Sequence, residues 1–101
     1  MADKWAELLK VLASSLRLRI LALCLDKERT SRELRETLNL SKPLLIMHLR
    51  KLVNAGFLEY RTELDKTKVI VRKYYKTKDL KLCIDTDLLR EISKELKQIK
   101  S

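Results

Sequence analysis

The sequence has little of what interrupts regular structure: one glycine and one proline in 101 residues. Glycine and proline are the weakest helix formers, so their scarcity favours helix. A lone glycine also excludes the glycine-rich loops that cradle nucleotide phosphates. Only Cys24 and Cys83 are present, far apart, so no disulfide framework exists. That fits a reduced intracellular chain, and a cytoplasmic location is expected. One histidine and two scattered thiols fall short of a transition-metal site, which needs several nitrogen or sulfur donors at compatible spacing. No metal and no cofactor are therefore expected. His48 has no serine, cysteine or acidic partner in its own segment, so no enzymatic constellation is expected either. It reads as a partly buried packing residue, as Cys24 does, while redox activity is the minor alternative for Cys83. No apolar run is long enough to cross a bilayer, and MADKWAELLK reads as an amphipathic helix without the apolar region of a signal peptide. No membrane partner is expected.

What is present is helix-forming and basic. Lysine, glutamate and leucine dominate, which predicts a mostly helical protein. Net charge is +9. Residues 42–81 hold 11 basic and 4 acidic side chains, +7, whereas residues 1–41 hold 8 against 6, and residues 82–101 balance at 4 against 4. A basic stretch is often just a solvated face, but concentration in one block points to a polyanionic partner.

Trp5, Leu8, Leu9 and Leu12 recur at three- and four-residue spacing, predicting a first helix from about Asp3. Ser14 and Ser15 interrupt. A second helix is expected from about Leu16 to Lys27, with Leu16, Ile20, Leu21, Leu23 and Cys24 making it central. Thr30-Ser31-Arg32-Glu33 is a capping-box pattern opening a short helix over about 31–38, with Leu34 and Leu38 inward. Asn39-Leu40 makes a tight turn. Ser41 is then a good N-cap, with Pro43 in the first turn, and Gly56 suits the left-handed position after the fourth helix. Two short helices across a tight turn form a helix-turn-helix. Beyond Gly56, FLEYRTE (57–63) and KVIVRKYYK (68–76) read as two strands, with residues 64–67 as the hairpin tip. After an extended link, Asp85 or Thr86 can cap a last helix. Leu88, Leu89, Ile92, Leu96 and Ile99 form its stripe, which at 88, 92, 96 and 99 approaches coiled-coil spacing.

The stretch VLASSLRLRILALCLDKERTSRELRETLNLSKPLLIMHLRKLVNAGFLEYR resembles the winged-helix regulators of the ArsR type. The likeness rests on Leu12-Ala13, Arg17, Ile20-Leu21 and Leu23, on Ser31, Glu33-Leu34, Leu38 and Leu40-Ser41, and on His48-Leu49, Leu52, Ala55-Gly56 and Leu58. It covers roughly residues 11 to 77. The fold class it implies is mainly α with a small β-hairpin: a winged helix-turn-helix, α-α-α-α-β-β-α, dimeric through its terminal helices. All 101 residues would form one domain, with a DNA-binding core over 13–77 and dimerisation helices over 1–12 and 85–101. Interface candidates are Trp5, Leu8, Leu12, Leu88, Ile92, Leu96 and Ile99; packing within the same chain is the plainer reading of such stripes. The thiolate arrangement of some metal-sensing relatives is missing, because Arg35 and Thr37 stand where it would fall. The last helix also lacks the histidine of another sensor arrangement. Nothing in the residues names a small-molecule effector.

On the fourth helix, Leu45, His48, Leu49 and Leu52 share one face, which should hold it to the domain. The other face shows Lys42, Pro43, Leu44, Ile46, Met47, Arg50 and Lys51. The resemblance implies that positions 42–44, 46, 47 and 50 enter the major groove, where polar residues are usual. Here Lys42 and Arg50 remain as polar readers, whereas Leu44, Ile46 and Met47 can only touch thymine methyls. Ser31 and Arg32, Lys51, Lys66 and Lys68 at the hairpin tip, and Arg72 are candidates for backbone phosphates. The expected function is a dimeric, sequence-selective regulator binding double-stranded DNA. Two alternatives stand beside it: a protein-contact module using Leu44, Ile46 and Met47 as an exposed patch, and a nonspecific architectural DNA binder.

Overall fold

The computed structural model describes residues 1–100, with side chains through Lys97. In chain order the elements are α1 (Ala2–Leu12), α2 (Ser15–Leu23), β1 (Arg29–Thr30), α3 (Ser31–Leu38), α4 (Lys42–Asn54), β2 (Leu58–Asp65), β3 (Ile70–Thr77) and α5 (Thr86–Lys100). The caps form as side-chain chemistry dictates. Ser14 accepts from the Arg17 amide, Thr30 from Glu33 and Ser41 from Leu44, so three helices begin with an orphan donor satisfied. Asp85 Oδ1 accepts from the Leu88 amide at 2.9 Å at the head of α5. Only half of the expected capping box is made: the Glu33 carboxylate lies 3.8 Å from Arg29 Nη1. The chain leaves α3 through Asn39 at φ 54° and leaves α4 through Gly56 at φ 84°. Both are residues that tolerate the left-handed region.

Two boundaries differ from the sequence expectation. α2 stops at Leu23 instead of running to Lys27, because the next residues serve a sheet. Arg29 and Thr30 pair antiparallel with Tyr75 and Tyr74, giving a three-stranded sheet in the order β1-β3-β2. The Arg29 side chain donates to the Leu23 carbonyl at 3.0 Å, and the Thr77 amide to the Cys24 carbonyl at 3.1 Å. These bonds satisfy acceptors at the helix end, so continuation has no advantage. The hairpin tip also lies further on, at residues 66–69, since β2 extends to Asp65. Asp65 Oδ1 accepts from the Thr67 and Lys68 amides, an Asx turn that sets the reversal there.

The core lies where α2, α3, α4 and the base of the sheet meet. Ile20, Cys24, Leu34, Leu45, Leu52 and Leu58 are its most completely buried side chains. Thr77 Oγ1 donates to the Leu21 carbonyl at 2.7 Å, tying the root of the wing to α2. α1 packs Leu8, Val11 and Leu12 against this core. α5 does not join it; among the described residues only light contact links it to the rest. The molecule is accordingly elongated, 65 × 25 × 24 Å, with a radius of gyration of 17.6 Å. A compact domain of this size has about 13 Å.

Candidate nucleic-acid interface

α4 presents two faces of opposite fate. Leu45, His48, Leu49 and Leu52 are all buried, as their spacing predicts. At roughly 100° per residue the opposite meridian runs through Pro43, Met47, Arg50 and Asn54, all of them exposed. Leu44 (38% exposed) and Met47 (40%) show apolar surface to solvent. Ile46 does not stand with them. It is half buried on the wing-side flank and lines the clefts between α4 and β3. An apolar stripe of three in the sequence is therefore two exposed side chains and one that packs toward the wing.

The larger of those clefts, about 510 Å³, lies between the starts of α3 and α4 and the part of β3 that extends beyond its pairing with β1. Arg32, Lys42, Arg72 and Lys73 line it, and no carboxylate does. Ser31 is in the same wall. Lys73 was not singled out by sequence reasoning. Its signal is the β3 register, which sets it opposite Thr62 and on the same sheet face as Tyr75. Its ammonium sits 4.7 Å from the Tyr60 ring centre, and the Tyr60 and Tyr75 rings are 5.7 Å apart, so the aromatic pair holds the cation beside α4.

The remaining candidates are spread around this concave surface. Arg50 lies on the α4 flank of the smaller cleft, with Ile46, Lys73 and Tyr75. Lys51 is on the other flank and faces α1. Lys66 and Lys68 are exposed at the wing tip. Two of the expected phosphate binders have acidic neighbours: Arg32 pairs with Glu36 at 3.1 Å and Arg72 with Asp65 at 3.7 Å. Such solvent-exposed pairs contribute about 0.5 kcal/mol and yield readily to a phosphate. The outer face of the wing is different. Arg61 is held between Glu28 and Glu63, both at 2.8 Å, and stacks over Tyr74. The Arg61 charge is thus neutralised within the wing itself.

Beneath α4, Arg17 Nε donates to His48 Nδ1 at 3.0 Å. Sequence reasoning took His48 for a packing residue; the partner lies 31 positions away, beyond any local pattern. Burial, then the nearby charges of Arg17 and Lys51, lowers the His48 pKa from its ordinary 6.5. Burial pushes the Cys24 thiol up to about 11, consistent with an inert core thiol. Among the described residues no group of histidine, cysteine and carboxylate side chains is arranged to hold a metal ion. Among the described residues no helix is long and apolar enough to cross a membrane.

Of the terminal-helix candidates, Leu8 and Leu12 pack against the core of their own chain, and Trp5, Leu88 and Ile92 are half buried. Leu96 is 56% exposed and its neighbour in the stripe, Leu89, 57%. The Ile99 side chain lies outside the described residues.

Comparison with known proteins agrees with this geometry. The model of the family described as bacterial regulatory protein, arsR family, matches residues 14–60. The chain is 32% identical to reduced HlyU from Vibrio cholerae, covering 77% of this chain and 76% of that one with a TM-score of 0.65. It is 26% identical to the homodimeric winged helix-turn-helix DNA-binding domain of a Mycobacterium bovis protein, covering 97% and 78%, TM-score 0.63. An HTH-type transcriptional regulator of Methanocaldococcus jannaschii is 29% identical over 83 residues, 82% of this chain and 85% of the relative.

Proposed function

This chain belongs to the arsR family of bacterial regulatory proteins and is a transcriptional regulator with a winged helix-turn-helix DNA-binding domain, and from that premise we propose that it acts as a homodimer reading duplex DNA sequence-selectively. α4 enters the major groove with Lys42 and Arg50 as polar readers. Leu44 and Met47 meet thymine methyls, and a site with unpaired polar edges beneath them is disfavoured. Ser31, Arg32, Lys51, Lys66, Lys68 and Arg72 take phosphates on either side, and Lys73 joins them. The observation that carries this reading is the cleft lined by Arg32, Lys42, Arg72 and Lys73 without a carboxylate, on the wing-side flank of α4 beside its exposed face.

The dimer reading rests on α5. An amphipathic helix with Leu89 and Leu96 more than half exposed, scarcely packed on its own chain, needs a second surface. A similar winged helix-turn-helix domain is described as homodimeric, which fits a paired chain here. Trp5, Leu88 and Ile92 border that surface, and Leu8 and Leu12 support it from the core side. Residues 13–77 then form the DNA-binding core of a single domain, and the two terminal helices pair the protomers in a cytoplasmic regulator.

The protein-contact alternative narrows, because half-buried Ile46 leaves Leu44 and Met47 as a small patch, and seven net positive charges in residues 42–81 do nothing for an apolar partner. Titrating duplex binding against salt tests the reading. Each neutralised phosphate contributes about −0.9 to the slope of log K against log salt, so a dimer should show a steep fall. Absence of binding at low salt ends the proposal. Selection from a random duplex pool then separates sequence-selective from architectural binding.

A further inference from the structure

Arg17 is an ionised side chain only 9% exposed, yet no carboxylate pairs with it among the described residues. Its two bonds go to neutral acceptors: Nε to His48 Nδ1 at 3.0 Å and Nη1 to the Val11 carbonyl at 3.0 Å. The C-terminal dipole of α1 offsets part of this charge, about half a unit at most. Buried charges in proteins are ordinarily paired, because an uncompensated one carries a desolvation cost. The rest of the guanidinium faces a cleft of about 500 Å³ between α1 and the end of α4.

That cleft is itself cationic. Lys4, Lys10 and Lys51 join Arg17 in lining it, and Glu7 is the one acidic side chain there. The Glu7 carboxylate is engaged 3.3 Å from Lys10 Nζ. Leu8, Val11 and Ala55 supply an apolar wall. The combination suits a ligand with a compact anionic head against Arg17 and an apolar body along α1. It does not suit a bare cation or a neutral hydrophobe.

We propose that the α1–α4 cleft is a binding site for a small organic anion, a phosphate or carboxylate with an apolar body, whose head is held by Arg17 with Lys4 and Lys10. Such a ligand acts on the acceptor side of α4. His48 is on the buried face of that helix and bonds the same guanidinium, so a ligand drawing on Arg17 alters the Arg17–His48 bond. The cleft borders the exposed face of α4 through Lys51 and Asn54, but the residues that hold the anion, Arg17, Lys4 and Lys10, lie on α1 and α2.

Phenyl phosphate is the probe, with inorganic phosphate supplying the head alone and benzyl alcohol the body alone. Each is titrated into the full chain at constant ionic strength, following amide and His48 ring resonances. The expected result is saturable movement of α1, Arg17 and His48 signals with phenyl phosphate, weaker with phosphate and absent with benzyl alcohol. Lys4→Ala with Lys10→Ala should weaken binding about threefold, and Glu7→Gln should strengthen it about twofold, as removal of solvent-exposed charges predicts. Arg17→Lys, which keeps the charge and gives up the forked geometry, should weaken phenyl phosphate binding while the fold persists by circular dichroism.

Movement no greater than with matched chloride would overturn the proposal. So would an unchanged response in the lysine double variant, or loss of the response at protein concentrations where the dimer forms, which would mean that a second copy covers the cleft. The phosphate could also come from a nucleic-acid backbone, and duplex titration separates the two. If Lys4→Ala with Lys10→Ala lowers duplex affinity but leaves the phenyl phosphate response intact, the cleft belongs to the duplex and the proposal fails. Full phenyl phosphate binding in a protein that binds no duplex would uphold it and sink only the DNA reading.

Discussion

α4 and α5 are both amphipathic helices of similar length, yet their apolar stripes meet different ends. In α4 the stripe is sealed inside its own chain, and Leu45 is 0% exposed. In α5 Leu89 and Leu96 remain open, although the spacing of its leucines is just as regular. Periodicity therefore says that a helix has an apolar face, not whose surface covers it. α4 is set against α2, α3 and β2 by the turn at Asn39 and the exit at Gly56, whereas α5 follows an extended link, residues 78–85, that carries it away. Connection length decided the difference.

The comparison breaks most sharply at single leucines. Leu45→Ala should cost about 2–5 kcal/mol of unfolding free energy, read from the denaturant midpoint, because it leaves a cavity in a closed core. Leu89→Asp with Leu96→Asp should change the monomer's stability by less than about 0.5 kcal/mol. It should convert the protein to monomers in sedimentation equilibrium. If both changes unfold the chain alike, α5 is part of the core after all.

On the outward face of α4, Arg50→Ala should cost about 1–3 kcal/mol of affinity for a selected duplex and relax preference at one position. Lys68→Ala at the wing tip should weaken all duplexes evenly and lower the salt slope by about 1. A uniform loss from Arg50→Ala would move that residue from reading bases to holding phosphates.

The inward face carries a pH response. His48 accepts a hydrogen bond from Arg17, so its ring must keep Nδ1 unprotonated, and its pKa is lowered by burial first and then by Arg17 and Lys51. The unfolded chain takes up the proton near the ordinary 6.5, while the folded chain resists until lower pH. Stability is thus full above 6.5 and falls as pH drops from there toward the folded-state value. His48→Gln, which retains an acceptor without titrating, should flatten that slope in thermal melts between pH 5 and 7.5. Smallest is the thiol contrast. Exposed Cys83 should be alkylated rapidly at pH 8, and buried Cys24, with its pKa near 11, only as the protein unfolds.

Much of this was legible from residue order. Ser14, Thr30, Ser41 and Gly56 mark their boundaries because capping is a local contest for orphan amides and carbonyls. The inward face of α4 followed from 3.6-residue periodicity alone. The early end of α2 was not legible, because the bonds that stop it come from Arg29 and from Thr77 at the root of the wing. Nor was β1, two residues long, whose identity as a strand exists only through pairing with β3. Ile46 sits at the edge of the stripe, and the wing's position decides which way its burial goes.

By itself the sequence determined where helices start, which faces are apolar and where positive charge collects, since these depend on neighbours within a turn or two of chain. Tertiary structure alone decided that Arg17 would be buried against His48, that Lys73 would stand over an aromatic ring beside α4, and that α5 would keep its leucines exposed. Each of those outcomes turns on desolvation and on partners brought close by folding, which no local spacing encodes.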